Sequence, residues 1–258
     1  MRCTPVSEGC KNCWHLMMAC RLAANPMIPN LEARAFAGEE PVLYRNQLDA
    51  PLRLRKPARI GVQFMGDLFH EAVPRKFIDQ IIGVIAGARQ HIFMILTKRP
   101  ENIDFSFWKG CSDWPLKNLW LGVSVENQKT ADERIPLLLQ TPAAVRFVSY
   151  EPAIGHVSFH KYLRAFDEDN PPGWGGFYSE LDWIIMGCET GSGARPMHPD
   201  WARSVRDQCK AAGVPFWFKS WGRGIPPGHI EFIDGNIKDS YIAGKEYKEL
   251  PNVDIVRT

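Results

Sequence analysis

"LWLGVSVENQKTADERIPLLLQ" (119–140) carries the pattern on which the fold of this chain turns. Its first seven residues are apolar or small without alternation, which suits a strand buried on both faces, as in a parallel sheet covered by helices. From Glu126 onward polar residues enter, and apolar ones return at helical spacing, so 126–140 reads as an amphipathic helix. Pro136 should kink that helix or end it early.

The same rhythm recurs in both directions. Apolar runs at "RIGVQFM" (59–65), "HIFMILT" (91–97), "VRFVSY" (145–150), "LDWIIMG" (181–187) and "VPFWFK" (214–219) read as further strands. "PRKFIDQIIGVIAGA" (74–88) and "PDWARSVRDQCKAAG" (199–213) read as helices, with Pro74 and Pro199 suited to a first turn and Gly213 to a C-terminal cap. Six strands with helices between them mean an open doubly wound sheet or a (β/α) barrel. Every strand stops on polar residues: Asp67 and His70, Thr97 to Arg99, Ser124 and Glu126, Glu151, Glu189 and Arg195, and Lys219. A barrel brings all such ends to one rim, whereas an open sheet gathers only those near its switch point. The expectation is therefore an α/β chain forming a partial (β/α) TIM-type barrel, with residues 1–225 as one domain led by a cysteine loop and 226–258 as a C-terminal tail extension.

Bulk composition narrows the classes. A chain of 258 residues that is 45% hydrophobic can bury a full core. Lys and Arg total 31 against 29 Asp and Glu, so the net charge of +2 gives no electrostatic argument for nucleic acid and does not exclude it. No segment approaches the roughly 20 apolar residues of a membrane span and no secretory signal is seen. A soluble, cytoplasmic protein with no membrane partner is expected.

"CTPVSEGCKNC" (3–13) spaces three thiols as C-x6-C-x2-C, and Cys20 follows within the helical-looking "HLMMACRLAA" (15–24). In a reducing compartment such clustering favours metal over disulfide. Three readings stay open: an all-thiolate zinc site from Cys3, Cys10, Cys13 and Cys20, a 4Fe-4S cluster on Cys3, Cys10 and Cys13 with one iron open, or no metal. "GCETGSGARP" (187–196) is Gly-rich between a strand and a helix, the setting of an anion cradle with Arg195 as its contact, or a plain loop. Lys98 and Arg99 suit a carboxylate or phosphate, or a solvated loop. "NPPGWGGF" (170–177) could form a lid or only a connector.

Taken together, "CTPVSEGCKNC", "MGDLFHEAVP" (65–74), "LTKRPEN" (96–102), "RFVSYEP" (146–152) and "GCETGSGARPMHPDWARSVRDQC" (187–209), with the opening stretch, resemble a family of phage-borne and bacterial proteins of unassigned role. That family is grouped by its three-cysteine motif with the radical S-adenosylmethionine enzymes. The resemblance implies a radical-SAM-like barrel in which Cys3, Cys10 and Cys13 bind a 4Fe-4S cluster whose open iron chelates S-adenosylmethionine. It implies an electron donor protein and a substrate of unknown identity, with a nucleobase or nucleotide as one candidate. Gly66 and Asp67 would meet the methionine ammonium, Ser124 and Glu126 the ribose, and Val148 and Ser149 the adenine. The strand-end residues Lys98, Arg99, Glu151, Glu189, Arg195 and Lys219 would be left for substrate. The chain departs from the superfamily spacing C-x3-C-x2-C, and has Gly187-Cys188-Glu189 where the family commonly has Gly-Gly-Glu.

Overall fold

Six strands, β1 (Arg59–Val62), β2 (Ile92–Thr97), β3 (Leu119–Val125), β4 (Val145–Tyr150), β5 (Trp183–Met186) and β6 (Phe216–Phe218), pair in parallel in the order in which they occur. The computed structural model that contains them describes residues 3–25, 27, 41–163, 180–222, 232–233, 236–237, 241–242 and 245–251. A doubly wound sheet reverses its strand order at a switch point. Here each crossover steps one place in the same direction, so the sheet curls into a half-barrel, and the partial (β/α) barrel is the correct one of the two expected architectures. Helices α1 (Trp14–Ala23), α2 (Ala50–Arg53), α3 (Arg75–Gly87), α4 (Gln128–Leu139) and α5 (Pro199–Ala212) accompany it, and none is long and apolar enough to cross a membrane.

From β2 to β6 both faces of the sheet are largely buried, which is why those strands read as unbroken apolar runs, whereas the edge strand β1 exposes Arg59 and Gly61. Leu121, Val123 and Val125 of β3 join Val148, Ile184 and Phe216 in the large core beneath α3, α4 and α5. The alternate residues form a second cluster on the inner face, built on Ile92, Trp120, Val145, Phe147 and Trp183. Its rings meet edge-on or tilted, with centroids 5.9 Å apart for Trp120 and Trp183, 5.8 Å for Phe147 and Trp183, and 6.2 Å for Trp183 and Trp217.

The inner face changes character along the strands. Read from N-terminal to C-terminal end it runs Trp120, Gly122, Ser124 on β3, and Val145, Phe147, Ser149 on β4, with Gly122 opposite Phe147 and Ser124 opposite Ser149 in the ladder. Aromatic bulk fills one end, and small hydroxyl side chains leave the other end open.

Local signals account for the helix limits. Asn127 caps α4 through a capping box with Thr130. His198 caps α5, Pro199 occupies its first turn, and Gly213 closes it in the left-handed conformation at φ 67°, ψ 21°. Pro74 is the residue just before α3 rather than in its first turn. Pro136 does not end α4 early, since the helix continues to Leu139. The carbonyl it deprives of a partner is that of Asp132, and both residues are exposed, so water can satisfy it.

Part of the expected tail belongs to the barrel. Phe218 donates to the Tyr247 carbonyl at 2.9 Å and Glu249 to the Phe216 carbonyl at 3.1 Å, so 247–249 run antiparallel along the edge of β6. Two short antiparallel pairs, β7 (Phe232–Ile233) with β8 (Asn236–Ile237) and β9 (Tyr241–Ile242) with β10 (Lys245–Glu246), precede that contact. The expected lid at 170–177 lies outside the described residues.

Gly122 offers a sharp test of the inner packing. A methyl group there would stand 2.4 Å from the Phe147 ring. Gly122→Ala should lower stability by about 1–3 kcal/mol, the usual cost of overpacking a core, read as a lower urea midpoint at unchanged m-value.

Candidate functional site

The open end of the inner face is a cleft floored by Leu96, Ser124 and Ser149, at the C-terminal ends of β2, β3 and β4. Cys3, Cys10 and Cys13 all line it, as do Gly66 and Asp67 from the turn after β1. That turn is tight: Gln63 sits in the left-handed region at φ 59°, and Gly66 donates back to its carbonyl at 3.0 Å. Three buried ionic networks fasten the cysteine loop over this end, one from the end of each of three strands.

The first follows β2. Arg99 is 1% exposed, and its guanidinium donates to Cys3 Sγ at 3.3 Å and to the Thr4 carbonyl and hydroxyl at 3.0 and 2.7 Å. On the barrel side it reaches Asp67 Oδ2 at 3.4 Å and Glu71 Oε1 at 3.1 Å. Asp67 also accepts from Phe69 N, Thr97 Oγ1 and Lys98 N at 3.1, 2.7 and 3.0 Å. Four donors fill the lone-pair sites of a carboxylate, so Asp67 has no capacity left for a further donor. His70 Nε2 lies 3.0 Å from Thr4 Oγ1 and completes this corner.

The second network follows β3. Glu126 is fully buried and accepts from Ser7 Oγ at 2.8 Å, from Arg134 Nη1 at 3.1 Å and from Lys98 Nζ. Burial opposes its ionisation, but Lys98 and Arg134 outweigh that and hold its carboxyl below the usual range. The loop passes so close that a Cβ on Gly9 would fall 2.4 Å from Glu126 Cγ, so only glycine fits there. Lys98 also acts on Cys10: burial raises that thiol, yet the lysine and the backbone around Val6 and Ser7 bring it below its ordinary value.

The third follows β5. Glu189 accepts from Asn12 Nδ2 at 2.9 Å and from Arg195 through N, Nε and Nη2 at 2.8, 2.9 and 2.6 Å. Arg195 then donates to the Glu8 carbonyl at 2.9 Å. Burial again opposes ionisation, and the Arg195 and Asn12 hydrogen bonds overcome it, taking Glu189 down to about 2.

The structure thus brings nearly all the anticipated strand-end residues to one rim, but commits most of them to the loop. Lys98, Arg99, Glu126, Glu189 and Arg195 serve the networks, and Arg195 is engaged rather than open as an anion contact. Glu151 lines the cleft and, among the described residues, pairs with Lys219 alone, at 2.7 and 2.8 Å, across the gap left by Gly187. Sequence reading missed Thr4, Ser7, Gly9 and Asn12, whose partners are far along the chain, and Arg134, whose partner Glu126 lies eight residues before it. Cys188 is buried in the cleft wall, and Cys20 lies exposed on α1. The three loop thiols share the cleft without converging: among the described residues no three Cys, His, Asp or Glu side chains are grouped to hold a single metal ion.

The chain belongs to the family described as "Protein of unknown function (DUF5131)", whose model matches residues 1–251. No curated protein and no solved structure matches it.

Two outcomes follow for the networks. Glu126→Gln strands Lys98 and Arg134 as unneutralised buried charges and should cost about 3–5 kcal/mol, measured by urea unfolding. Glu189 ionises at about 2 when folded against an ordinary 4.5, so its contribution is fully present above about pH 4.5 and is lost as pH falls toward 2. Unfolding midpoints taken through that window should fall for the wild type and fall less for Glu189→Gln.

Proposed function

We propose that this chain is a radical S-adenosylmethionine enzyme in which Cys3, Cys10 and Cys13 hold a 4Fe-4S cluster. The reading is carried by the meeting of three loop thiols with strand-end polar groups in a single cleft at the C-terminal ends of parallel strands, where β/α barrels do their chemistry. The donor set suits the group. A tetrahedral zinc ion with bonds of about 2.3 Å needs its thiolates within ~4 Å of one another. In a 4Fe-4S cluster each thiolate holds a different iron, so three thiols lining one cavity are a donor set it can use. Cys20, exposed on α1 and absent from the cleft lining, is not needed for a three-thiol set.

When bound, the cluster supplies the electron that breaks the sulfonium bond of S-adenosylmethionine. The chain's own residues do the placing. Arg99, Glu126 and Glu189 fix the loop at three points, so the thiols are held before any ligand arrives. Lys98 puts positive charge beside Cys10, which favours its thiolate. Gly66 leaves the backbone approachable, and Glu151, with one lysine for a partner among the described residues, retains acceptor capacity for a ligand ammonium where Asp67 does not. An electron donor protein completes the requirement.

Anaerobic reconstitution with iron and sulfide tests this. About four irons and four sulfides per chain are expected, with reductive cleavage of S-adenosylmethionine to 5'-deoxyadenosine and methionine. Cys3→Ala, Cys10→Ala and Cys13→Ala should each abolish cleavage, and Cys20→Ser should leave it intact. One zinc per chain, lost equally in Cys20→Ser and Cys10→Ser, would replace the cluster with a structural ion.

A further inference from the structure

Net charge is an average over the chain, and the fold divides it unevenly. At the C-terminal ends of the strands the cations are neutralised: Lys98 pairs with Glu126, Arg99 with Asp67 and Glu71, Arg195 with Glu189, and Lys219 with Glu151. The opposite end of the barrel differs. Arg55, Lys56 and Arg59 lie at the entry to β1 and Lys117 at the entry to β3, all four are exposed, and among the described residues none has a carboxylate partner. Arg53 and Arg89 beside them are neutralised by Asp49 and Asp113, which leaves the other four uncompensated.

A run of exposed cations is usually just a solvated segment, but this one is built into the barrel. His91 is fully buried, and its Nδ1 accepts from Ala58 N at 3.1 Å while its Nε2 donates to the Pro51 and Leu54 carbonyls at 3.0 and 2.9 Å. Gln90 Nε2 adds a bond to the Leu54 carbonyl at 3.2 Å, and Ile92 N one to the Ala58 carbonyl at 2.9 Å. Lys117 is placed by its neighbour Asn118, whose carbonyl accepts from Phe93 N at 2.8 Å and whose side chain donates to the Ile85 and Ala88 carbonyls at 2.9 and 3.2 Å. The segments before β1, β2 and β3 are thus tied into one surface that presents all four cations. Arg55 and Arg59 are separated by no more than about 14 Å of chain, and Lys117 stands two strands from β1, about 10 Å across the sheet. A single small anion reaches only one or two groups so spread. A nucleic-acid duplex carries a charge per ~1.7 Å of axis, roughly eight over 14 Å, and meets them together.

We propose that the face at the N-terminal ends of β1–β3 binds the phosphate backbone of a nucleic-acid duplex through Arg55, Lys56, Arg59 and Lys117, without reading its sequence. The guanidinium forks of Arg55 and Arg59 match phosphate oxygens, and fixed backbone beneath them limits the entropy lost on binding. A duplex fits better than a single strand, because residues 52–59, 89–91 and 117–118 include no exposed aromatic ring on which unpaired bases would stack. It also fits better than a lipid surface, which is met by long amphipathic helices. Here α2 has four residues, and its exposed Leu52 already packs toward the end of α3, 3.4 Å from where a Cβ on Gly87 would stand. The inference does not rest on the radical reading, since this face and the cleft lie at opposite ends of the strands.

Fluorescence anisotropy of a labelled 20-base-pair DNA duplex of mixed sequence, titrated with the full chain between about 50 and 200 mM salt, tests it. Four phosphate contacts should give a slope of log affinity against log salt of about −3.6, a loss on the order of 100-fold across that range. Lys117→Gln should make the slope shallower by about 0.9, and Arg55→Gln, Lys56→Gln and Arg59→Gln together should leave it near −1 with at least a roughly tenfold loss at the lower salt. Lys129→Gln, at an exposed lysine beside Glu133 on α4, should change neither quantity. An unrelated duplex should bind equally, and a single strand of the same length more weakly. No binding at the lower salt, a slope shallower than about −2, or unchanged affinity in the triple variant with native circular dichroism overturns the proposal. Phosphatidylserine vesicles that retain the chain where the duplex does not would assign the face to a lipid surface and overturn it as well. Iron content and S-adenosylmethionine cleavage should be the same in the triple variant as in the wild type, so this inference and the radical reading fail separately.

Discussion

A carboxylate cannot stay ionised out of water unless donors replace the water it lost. Glu126 meets that condition with Lys98 and Arg134 from the barrel and Ser7 from the cysteine loop, and Glu189 meets it with Arg195 and Asn12. In both, one donor comes from a segment with little structure of its own. The loop from Cys3 to Cys13 has only a short 3-10 turn at Glu8–Cys10, so its path is set by these donations rather than by internal pairing. The position of the thiols in the cleft depends on them together with the donations of Arg99 to Cys3 and Thr4.

The barrel supplies the other half of that arrangement. Because the inner face shrinks from tryptophan to serine along β3, and from phenylalanine to serine along β4, the cavity is floored by the sheet and has a mouth at the C-terminal strand ends. The cysteine loop covers part of the mouth. Trp14 and Phe64 occupy another part, and Glu151 with Lys219 a third. The same strands that are packed solid for stability at one end are emptied for binding at the other, and the change takes place over four residues.

The architecture was legible in the sequence because its signals are local. Unbroken apolar runs come from burial on both faces of a parallel sheet, and the caps at Asn127, Pro199 and Gly213 are single-residue events. The convergence of polar strand ends followed from topology. What each polar end does was not legible. Arg99, Glu126 and Glu189 read as ligand contacts because a charged residue after a strand looks the same whether its partner is a substrate or the protein itself. Their partners Thr4, Ser7 and Asn12 lie 95, 119 and 177 positions away, and no spacing in the sequence announces them. Gly9 was the one available hint, a glycine between two cysteines where close approach is required.

The distance between Asn12 and Glu189 also has a meaning in time. Strands that pair with their successors can assemble as the chain leaves the ribosome, each finding the previous one in place. The thiols emerge before any of these strands, but the last of their three fastenings arrives 177 residues later, on the order of 10–35 s at ordinary rates of synthesis. During that interval Cys3, Cys10 and Cys13 are thiols on an unfastened peptide, open to oxidation. A loop whose geometry depends on the finished barrel takes its final path only at the end of folding, so a segment made before every barrel strand is the last to be fixed in place.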